Sequence, residues 1–241
     1  MIEDWLARTA LLIGEEGLAR LAGARVALLG LGGVGGSCAE ALCRAGIGRL
    51  LLCDNDTVSR TNLNRQLVAT CETIGLPKTE AMAQRLRSIR PAAALTLCQR
   101  FYLPEDSGFL YAFQPDIVVD AIDTVTAKLH LAEECARRGI PLISCLGTGN
   151  RLRPQDLTVG DIAETAGCGC PLARILRREL KKRGIRQLRV VFSRELPQSC
   201  VAPDEPAGRH PPGSVSFVPP VAGYLLAGEA VRLLLAAAPP R

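Results

Sequence analysis

The stretch "LLGLGGVGGSCAEAL", residues 28–42, decides the fold of this chain. Its glycines at positions 30, 32 and 35 form the pattern G-x-G-x-x-G between an apolar run and a helix-like run. In such a turn the first glycine allows a tight bend, and the second lets backbone amides approach a phosphate. The third permits close packing of a helix on a strand. The pattern predicts a phosphate-binding turn, but alone it fits a dinucleotide as well as ATP.

Short apolar runs alternate with helix-like runs around this turn. The predicted strands are residues 24–30, 49–54, 94–99, 116–123 and 141–147, and the predicted helices are residues 36–46, 78–90 and 127–139. After residue 147 the order changes, with strands at 157–162 and 188–193 around a helix at 171–183. We therefore predict an α/β, Rossmann-like fold. Its central sheet is mostly parallel with helices on both faces, and antiparallel additions lie in the C-terminal third.

The size and composition of the chain favour one domain. A length of 241 residues with 48% hydrophobic content is enough for one sizeable core, so we expect residues 1–241 to form a single domain. Residues 194–214 contain five prolines and few apolar side chains. We predict that they form a flexible loop and treat them as a candidate substrate lid.

The cysteines and the N-terminus favour a cytoplasmic protein. Ten cysteines are scattered along the chain, and several, such as Cys43 and Cys145, lie inside apolar runs. There a free cysteine behaves as a small core hydrophobe. Residues 1–8 include Glu3 and Asp4 and no apolar stretch, so no signal peptide is predicted. We expect a reducing compartment.

Residues 217–238 are the one segment that could imitate a membrane span. The segment carries Glu229 and Arg232. Each charge costs roughly 2.5–3.5 kcal/mol at the centre of an inserted helix. We therefore predict a buried C-terminal helix and no membrane partner.

Charged residues beyond the turn favour ATP over NAD. Asp54 ends the second predicted strand, where an acidic side chain reaches a ribose hydroxyl. Arg65 and Lys78 supply the two positive charges that a triphosphate needs, and Asp123 ends the fourth strand with a carboxylate suited to Mg²⁺. A carboxylate substrate could then attack the α-phosphorus, giving an acyl-adenylate and pyrophosphate. That chemistry depends on positioning and charge neutralisation.

Four motifs carry a family resemblance. They are G-x-G-G-x-G at 30–35, D-x-D-x-V-x-x-x-N-x-x-R-Q at 54–66, the Lys78 segment and "DAID" at 120–123. Together they resemble the adenylating enzymes related to ubiquitin activators, over about residues 8 to 150. The nucleotide-binding residues that this implies are Gly30, Gly32, Gly33, Gly35, Asp54, Asn62, Arg65, Gln66 and Lys78.

The resemblance also implies catalytic residues and an assembly. Arg65, Lys78 and Asp123 would act in catalysis, with Asp123 holding Mg²⁺. Arg8 occupies the place of a family arginine that reaches the ATP of a partner subunit, which implies a homodimer. An amphipathic N-terminal helix is the alternative interpretation of Arg8.

The cysteine spacing bears on the branch of the superfamily. Sulfur-carrier activators of this type usually hold zinc with two C-x-x-C pairs, whereas this chain has Cys168-Gly-Cys170, a lone Cys200 and no C-x-x-C. We therefore predict no structural zinc. We interpret these three thiols as ordinary, with a thioester-forming nucleophile as the alternative.

A basic helix is predicted near residue 180. Residues 174–189 hold eight basic side chains and one acidic side chain, Glu179. A stripe of this kind fits contacts with RNA phosphates, and a solvated amphipathic helix is the alternative. The candidate RNA-binding residues are Arg174, Arg177, Arg178, Lys181 and Lys182.

Further segments narrow the resemblance. "RTALLIGEEGL" (8–18), "DAIDT" (120–124), "CPLARILRRELKKRGI" (170–185) and "PGSVSFVPPVAG" (212–223) resemble the tRNA-modifying dehydratase branch. That branch is implied to adenylate the carboxylate of threonylcarbamoyladenosine beside the anticodon. The carbamoyl group of the modification then displaces AMP, and a ring closes with net loss of water. The expected cofactors are ATP and Mg²⁺, and the expected partners are tRNA and a second copy of the chain.

Two other functions stay open at this point. One is an adenylating activator of a ubiquitin-like or sulfur-carrier protein, and the other is a non-catalytic nucleotide-binding or redox module. A sulfur-transfer partner protein is a further candidate partner, which no motif identifies.

Overall fold

The apolar runs predicted as strands form one seven-stranded sheet in the computed structural model, which describes residues 3–199 and 212–236. The strands are β1 (Arg25–Leu29), β2 (Arg49–Cys53), β3 (Ala94–Cys98), β4 (Ile117–Asp120), β5 (Leu142–Cys145), β6 (Leu157–Asp161) and β7 (Arg189–Ser193). Their order in the sheet is β3-β2-β1-β4-β5-β7-β6. Adjacent strands are parallel except β6, which pairs antiparallel with β7 at the edge. The predicted α/β architecture is confirmed, and its antiparallel addition is the single strand β6.

Helices cover both faces of the sheet, as predicted. They are α1 (Ala7–Gly23), α2 (Gly33–Arg44), α3 (Lys78–Ile89), α4 (Gly108–Ala112), α5 (Val125–Arg138), α6 (Pro171–Lys182) and α7 (Val218–Ala236). In β1, Val26 and Leu28 pack in the core with α2, α3 and α7, whereas Ala27 and Leu29 pack with α4 and α5. This alternation explains why the strands are apolar without a break. Helix α2 begins three residues earlier than predicted, because Gly32 already takes the N-cap position.

The predicted C-terminal helix is a core helix. Along α7, Val218, Ala222 and Leu226 are fully buried, and the helix lies against α2. By length and hydropathy α7 could cross a membrane. However, its buried Glu229 bridges Arg189 and Arg232, each with a contact of 2.6 Å. The packing and this ion-pair network support the core assignment, and residues 237–238 of the predicted helix lie outside the described residues.

The two described flanks of the predicted loop 194–214 meet at one residue. The Gln198 amide donates to the Asn150 carbonyl at 2.8 Å, and the Asn150 amide donates to the Gly213 carbonyl at 2.8 Å. The Ser214 carbonyl also accepts from Asn64 Nδ2 at 3.0 Å. These flanks therefore join the loop after β5 to the segment that precedes Arg65. Cys200 and residues 201–211 lie outside the described residues, so the lid remains a prediction.

Candidate active site

The glycine turn has the geometry that its sequence predicts. Gly30 follows β1 with φ +89°, and a Cβ there would lie 2.6 Å from the Ala121 carbonyl oxygen. A Cβ on Gly35 would lie 1.7 Å from the Gly30 carbonyl oxygen, so only glycine allows this approach of α2 to the turn. At Gly32 the nearest atom to a Cβ would be Gln66 Nε2, 3.9 Å away. The backbone at Gly32 is therefore open to a ligand.

A cleft of about 460 Å³ opens above this turn, at the carboxyl ends of the parallel strands. Ligands of open α/β sheets bind at this edge. The predicted site residues that line the cleft are Gly30, Gly32, Asp54, Asn62, Arg65, Gln66, Lys78 and Asp123. Gly33 and Gly35 do not line it; a Cβ on Gly33 would meet Pro219 Cβ at 2.9 Å, so its role is packing. Arg8 lies on α1, exposed and outside the lining of this cleft.

Asp54 braces the glycine turn as well as lining the cleft. Its Oδ2 accepts from the Leu31 amide at 2.6 Å, and its Oδ1 accepts from the Asp56 amide at 2.8 Å. The carboxylate therefore ties the end of β2 to the turn after β1. The motif spacing predicted Asp54 as a ribose ligand, and this second, structural role was missed.

The two predicted phosphate cations have different surroundings. The buried Lys78 Nζ lies 2.6 Å from Asp56 Oδ2 and 4.0 Å from Asp54 Oδ1, so two carboxylates balance its charge. Arg65 Nη1 donates to the Thr61 carbonyl at 2.8 Å and to Asn64 Oδ1 at 2.7 Å. Both of these acceptors are neutral. Arg65 thus brings a positive charge to the cleft that no ion pair in the described part of the chain balances.

Gln66 offers a free acceptor in the cleft. Its side chain is buried, and its Oε1 has no hydrogen-bond partner among the described residues. A buried polar atom without a partner costs about 1–3 kcal/mol. A donor from a bound ligand, such as a hydroxyl or amine, would relieve that cost. The neighbouring Asn62 instead accepts from the Ser59 amide at 3.1 Å and caps its own turn.

A buried ion pair supports the loop that carries Asp123. Asp120 Oδ2 accepts from Lys128 Nζ at 2.8 Å and from Ser144 Oγ at 2.6 Å, and all three side chains are fully buried. Lys128 Nζ also donates to the Cys145 carbonyl at 2.7 Å. The pair therefore joins the ends of β4 and β5 to α5. It lies directly beneath residues 121–123, where Asp123 is exposed to the cleft.

One wall of the cleft was not predicted. It is formed by residues that follow β3, namely Arg100, Phe101 and Tyr102. Tyr102 Oη lies 2.9 Å from His130 Nδ1, and burial raises the pKa of this phenol, so it stays protonated. This wall could have been predicted from the position of β3 beside β2, because the carboxyl ends of neighbouring parallel strands lie at the same edge of the sheet.

The buried thiols of Cys53 and Cys145 are poor nucleophiles. Burial raises the pKa of Cys53 to about 12, although it lines the cleft, and burial likewise raises the pKa of Cys145 to about 12. A thiol acts as a nucleophile through its thiolate. Cys168 and Cys170 are buried, and Cys200 lies outside the described residues. Within residues 3–199 and 212–236, no three His, Cys, Asp or Glu side chains form a metal site. The absence of zinc remains a prediction.

The structure sorts the predicted RNA-binding residues on α6. Arg178 and Lys182 pair with Glu179, at 2.9 and 3.1 Å. Arg177 Nη1 donates to both the Thr165 carbonyl and its Oγ1, each at 2.7 Å. The remaining two, Arg174 and Lys181, are exposed and make no ion pair with the described residues.

Comparisons with known proteins identify a family and several relatives that match almost the whole chain. A family model described as the ThiF family matches residues 6–241. The tRNA threonylcarbamoyladenosine dehydratase of Bacillus subtilis (strain 168) is 41% identical over 239 residues, which are 95% of this chain and 93% of that protein.

Two solved structures are similar over almost the whole chain. The E. coli tRNA N6-threonylcarbamoyladenosine dehydratase, TcdA, in complex with AMP has a TM-score of 0.88 at 34% identity. The same protein in complex with ATP has a TM-score of 0.87 at 33% identity. Each comparison covers 98% of this chain and 97% of the other.

Proposed function

The chain belongs to the ThiF family, and from this premise we propose that it uses ATP to cyclise threonylcarbamoyladenosine beside the tRNA anticodon, with loss of water. One observation carries the proposal. The cleft above the glycine turn brings together the two phosphate cations, Arg65 and Lys78, with the exposed carboxylate of Asp123. The relatives at 41% and 34% identity carry the name of this dehydratase, which supports the choice of substrate.

The cleft residues divide the work of binding ATP. The open backbone at Gly32, at the N-terminus of α2, suits a phosphate, because amide groups and the helix dipole favour negative charge there. Arg65 and Lys78 would offset the charge of the β- and γ-phosphates. The unpartnered Gln66 Oε1 would accept from a hydroxyl or amine of the nucleotide.

Asp123 is the residue that would hold Mg²⁺. Its carboxylate is exposed in the cleft and makes no hydrogen bond or ion pair with the residues of the described ranges. Mg²⁺ commonly uses one or two carboxylates, with phosphate oxygens and waters completing the shell. One exposed carboxylate beside a phosphate site fits this preference. The ion would supply charge neutralisation at the phosphates.

The reaction then needs positioning more than acid–base groups. The substrate carboxylate attacks the α-phosphorus of ATP, pyrophosphate leaves, and an acyl-adenylate forms. The carbamoyl group of the same nucleoside attacks the activated carbonyl, AMP leaves, and the ring closes. Because the substrate supplies its own nucleophile, no thiolate is required, which agrees with the raised pKa of Cys53.

Pyrophosphate exchange with two substrates tests this function. We expect tRNA that carries threonylcarbamoyladenosine to stimulate ATP–pyrophosphate exchange. A small protein that ends in Gly-Gly is the control and should not stimulate it. The reverse pattern would instead support an activator of a ubiquitin-like or sulfur-carrier protein. If neither substrate stimulates exchange, the remaining function is a non-catalytic nucleotide-binding or redox module.

We also propose a homodimer in which Arg8 completes the partner's site. On α1, Leu11 and Leu12 are 90% and 85% exposed, within one turn of Arg8. Two adjacent leucines exposed to this degree favour a partner surface, because burial of each side chain gains about 1.5–3 kcal/mol. A second copy at this surface would bring Arg8 near a cleft that it does not reach in its own chain.

Subunit mixing tests the assignment of Arg8. We expect Arg8→Ala and Asp123→Ala proteins each to lose exchange activity. Mixed dimers should regain it, because one site then combines Asp123 of one chain with Arg8 of the other. Unfolding and refolding the two variants together, with each refolded alone as the control, gives the comparison. No recovery in verified mixed dimers would place Arg8 in its own subunit's site or outside catalysis.

The tRNA would contact the basic helix α6. Within the described residues, Arg174 and Lys181 form no ion pair, whereas Arg178 and Lys182 already pair with Glu179. We expect the double variant Arg174→Ala/Lys181→Ala to weaken tRNA binding and to flatten its salt dependence by about two units of slope, nearly one for each lost phosphate contact. The matched control is Arg178→Ala/Lys182→Ala, which removes the same charge. A wild-type slope for the Arg174→Ala/Lys181→Ala variant would return α6 to a solvated helix.

A tRNA substrate also supports a cytoplasmic location. The sulfur-transfer partner protein stays a prediction.

A further inference from the structure

A second cavity lies beside α6, and it shares no lining residue with the nucleotide cleft. It is a groove of about 800 Å³ between α6, the turn Ile162–Thr165 and residues 184–186. Helix α6 packs on α5, and α5 begins two residues after Asp123. The groove is therefore outside the cleft, and the packed helices α5 and α6 connect it to the Asp123 loop.

The floor of this groove is apolar. Ile162 and Leu180 are almost fully buried beneath it, and the half-buried Ile185 and the exposed Ala163 complete its surface. No aromatic side chain lines it. An apolar floor does not suit a bare inorganic anion, because the anion would lose its hydration there without gaining hydrogen-bond partners.

The rim of the groove is cationic. Arg174, Lys181 and Arg186 are exposed on it and make no ion pair with the described residues. The neighbouring carboxylates face backbone amides and form no ion pair with these cations in the described ranges: Asp161 accepts from the Ala163 and Leu188 amides, and Glu164 accepts from the Asp161 amide. The rim therefore keeps its positive charge and favours an anionic ligand.

One arginine of the rim is held in place. Arg177 Nη1 donates to Thr165 twice, at 2.7 Å each, so its guanidinium plane is fixed rather than free in solvent. A guanidinium plane stacks on a nucleobase, and free cations bind the phosphates on either side of it. The groove thus combines an apolar floor, a planar cation and a charged rim. Together these features match a ligand with a flat apolar part and a phosphodiester backbone.

We infer that this groove binds one unstacked nucleobase of the tRNA, separate from the nucleoside that reacts in the nucleotide cleft. The inference rests on the proposed function, since it takes tRNA as the substrate. The base lies on Ile162 and Ile185 and stacks on the Arg177 guanidinium, and its flanking phosphates contact Arg174, Lys181 and Arg186. The groove thereby fixes the RNA relative to the active site.

An abasic scan combined with a blocking variant tests the inference. Anticodon stem-loops that carry threonylcarbamoyladenosine are made with one loop base removed at a time, and their affinities are measured for wild type and Ala163→Trp. In wild type we expect one position to lose about tenfold in affinity, within the range for one stacked base. Ala163→Trp fills the groove without removing a charge. It should bind the intact stem-loop about tenfold more weakly than wild type does. Removal of the base at that position should then cause no further loss of affinity.

Two further proteins keep the test decisive. Ala163→Glu, with a smaller side chain, should lose the same base-dependent affinity if Ala163→Trp does not fold. Lys182→Ala, which removes a charge from the same helix outside the groove, should keep the wild-type abasic profile.

The outcomes separate the two proposals. Suppose that wild type adenylates the modified tRNA, and that each missing base lowers the affinity of wild type and of the folded Ala163 variant by the same factor. The groove then holds no base. If wild type neither binds nor adenylates the modified tRNA, the proposed function itself is wrong.

Discussion

Replacement of Asp123 by alanine is expected to lower the rate of ATP–pyrophosphate exchange by about 10²–10³-fold in a protein that stays folded. This is the usual loss when one group that stabilises transition-state charge is removed. The fold should survive, because Asp123 is exposed and forms no hydrogen bond or ion pair with the residues that the structure describes. The loop keeps its support from Asp120, which accepts from the Ile122 amide at 3.0 Å.

The control for this variant is Glu80→Ala. Glu80 is exposed on α3, two residues from Lys78, and does not line the cleft. It should keep wild-type exchange at every Mg²⁺ concentration. Exchange by Asp123→Ala within a few-fold of wild type would remove Asp123 from the metal role, and a loss of its thermal transition would mean that the loop, not the ion, needs this carboxylate.

Replacement of Lys128 by methionine should have the largest effect on stability. We expect the free energy of unfolding to fall by about 3–5 kcal/mol, because the change leaves the Asp120 carboxylate buried without its counter-charge. Both side chains are 0% exposed, so water cannot compensate. Urea unfolding measures the loss.

Two controls separate the ion pair from general packing. Lys182→Met makes the same change on an exposed helix face and should alter stability by less than about 0.5 kcal/mol. The double variant Asp120→Asn/Lys128→Met should recover part of the loss, since it removes both charges. A loss near 1 kcal/mol for Lys128→Met alone, or no recovery in the double variant, would show that the buried ion pair does not account for the stability of the fold in this way.

The sequence predicted the frame of the site well, because the frame depends on local patterns. Apolar runs and glycines place β1, β2 and β4 within a few residues of their observed bounds. Parallel strands then bring Asp54 and Asp123, which follow different strands, to the same edge of the sheet. The motifs and the family resemblance together therefore predicted eight of the sixteen residues that line the cleft.

The contacts that support the site could not be predicted in this way. Lys128 on α5 meets Asp120 at the end of β4, so the contact joins two different elements and no single helical or strand period relates the two positions. Lys78 pairs with Asp56 only because an isolated bridge joins Thr57 to Pro77. Such contacts depend on how the loops close, which composition and periodicity do not encode.

The basic helix shows the same limit. The sequence identifies eight cations between residues 174 and 189 but does not tell which of them Glu179 or Thr165 engages. The structure separates the side chains of Arg178 and Lys182, which pair with Glu179, from those of Arg174 and Lys181, which form no ion pair with the part of the chain that it describes. It also reveals the groove beside them, because its floor comes from Ile162 in a distant segment.

Mass analysis of the reacted nucleoside tests the central claim most directly. The purified protein is incubated with ATP, Mg²⁺ and tRNA that carries threonylcarbamoyladenosine, and the tRNA is digested under conditions mild enough to preserve a cyclised base. We predict that the modified nucleoside loses the mass of one water, with one AMP and one pyrophosphate released for each ring closed. An unchanged nucleoside beside a protein that adenylates a Gly-Gly-ended carrier would contradict the account.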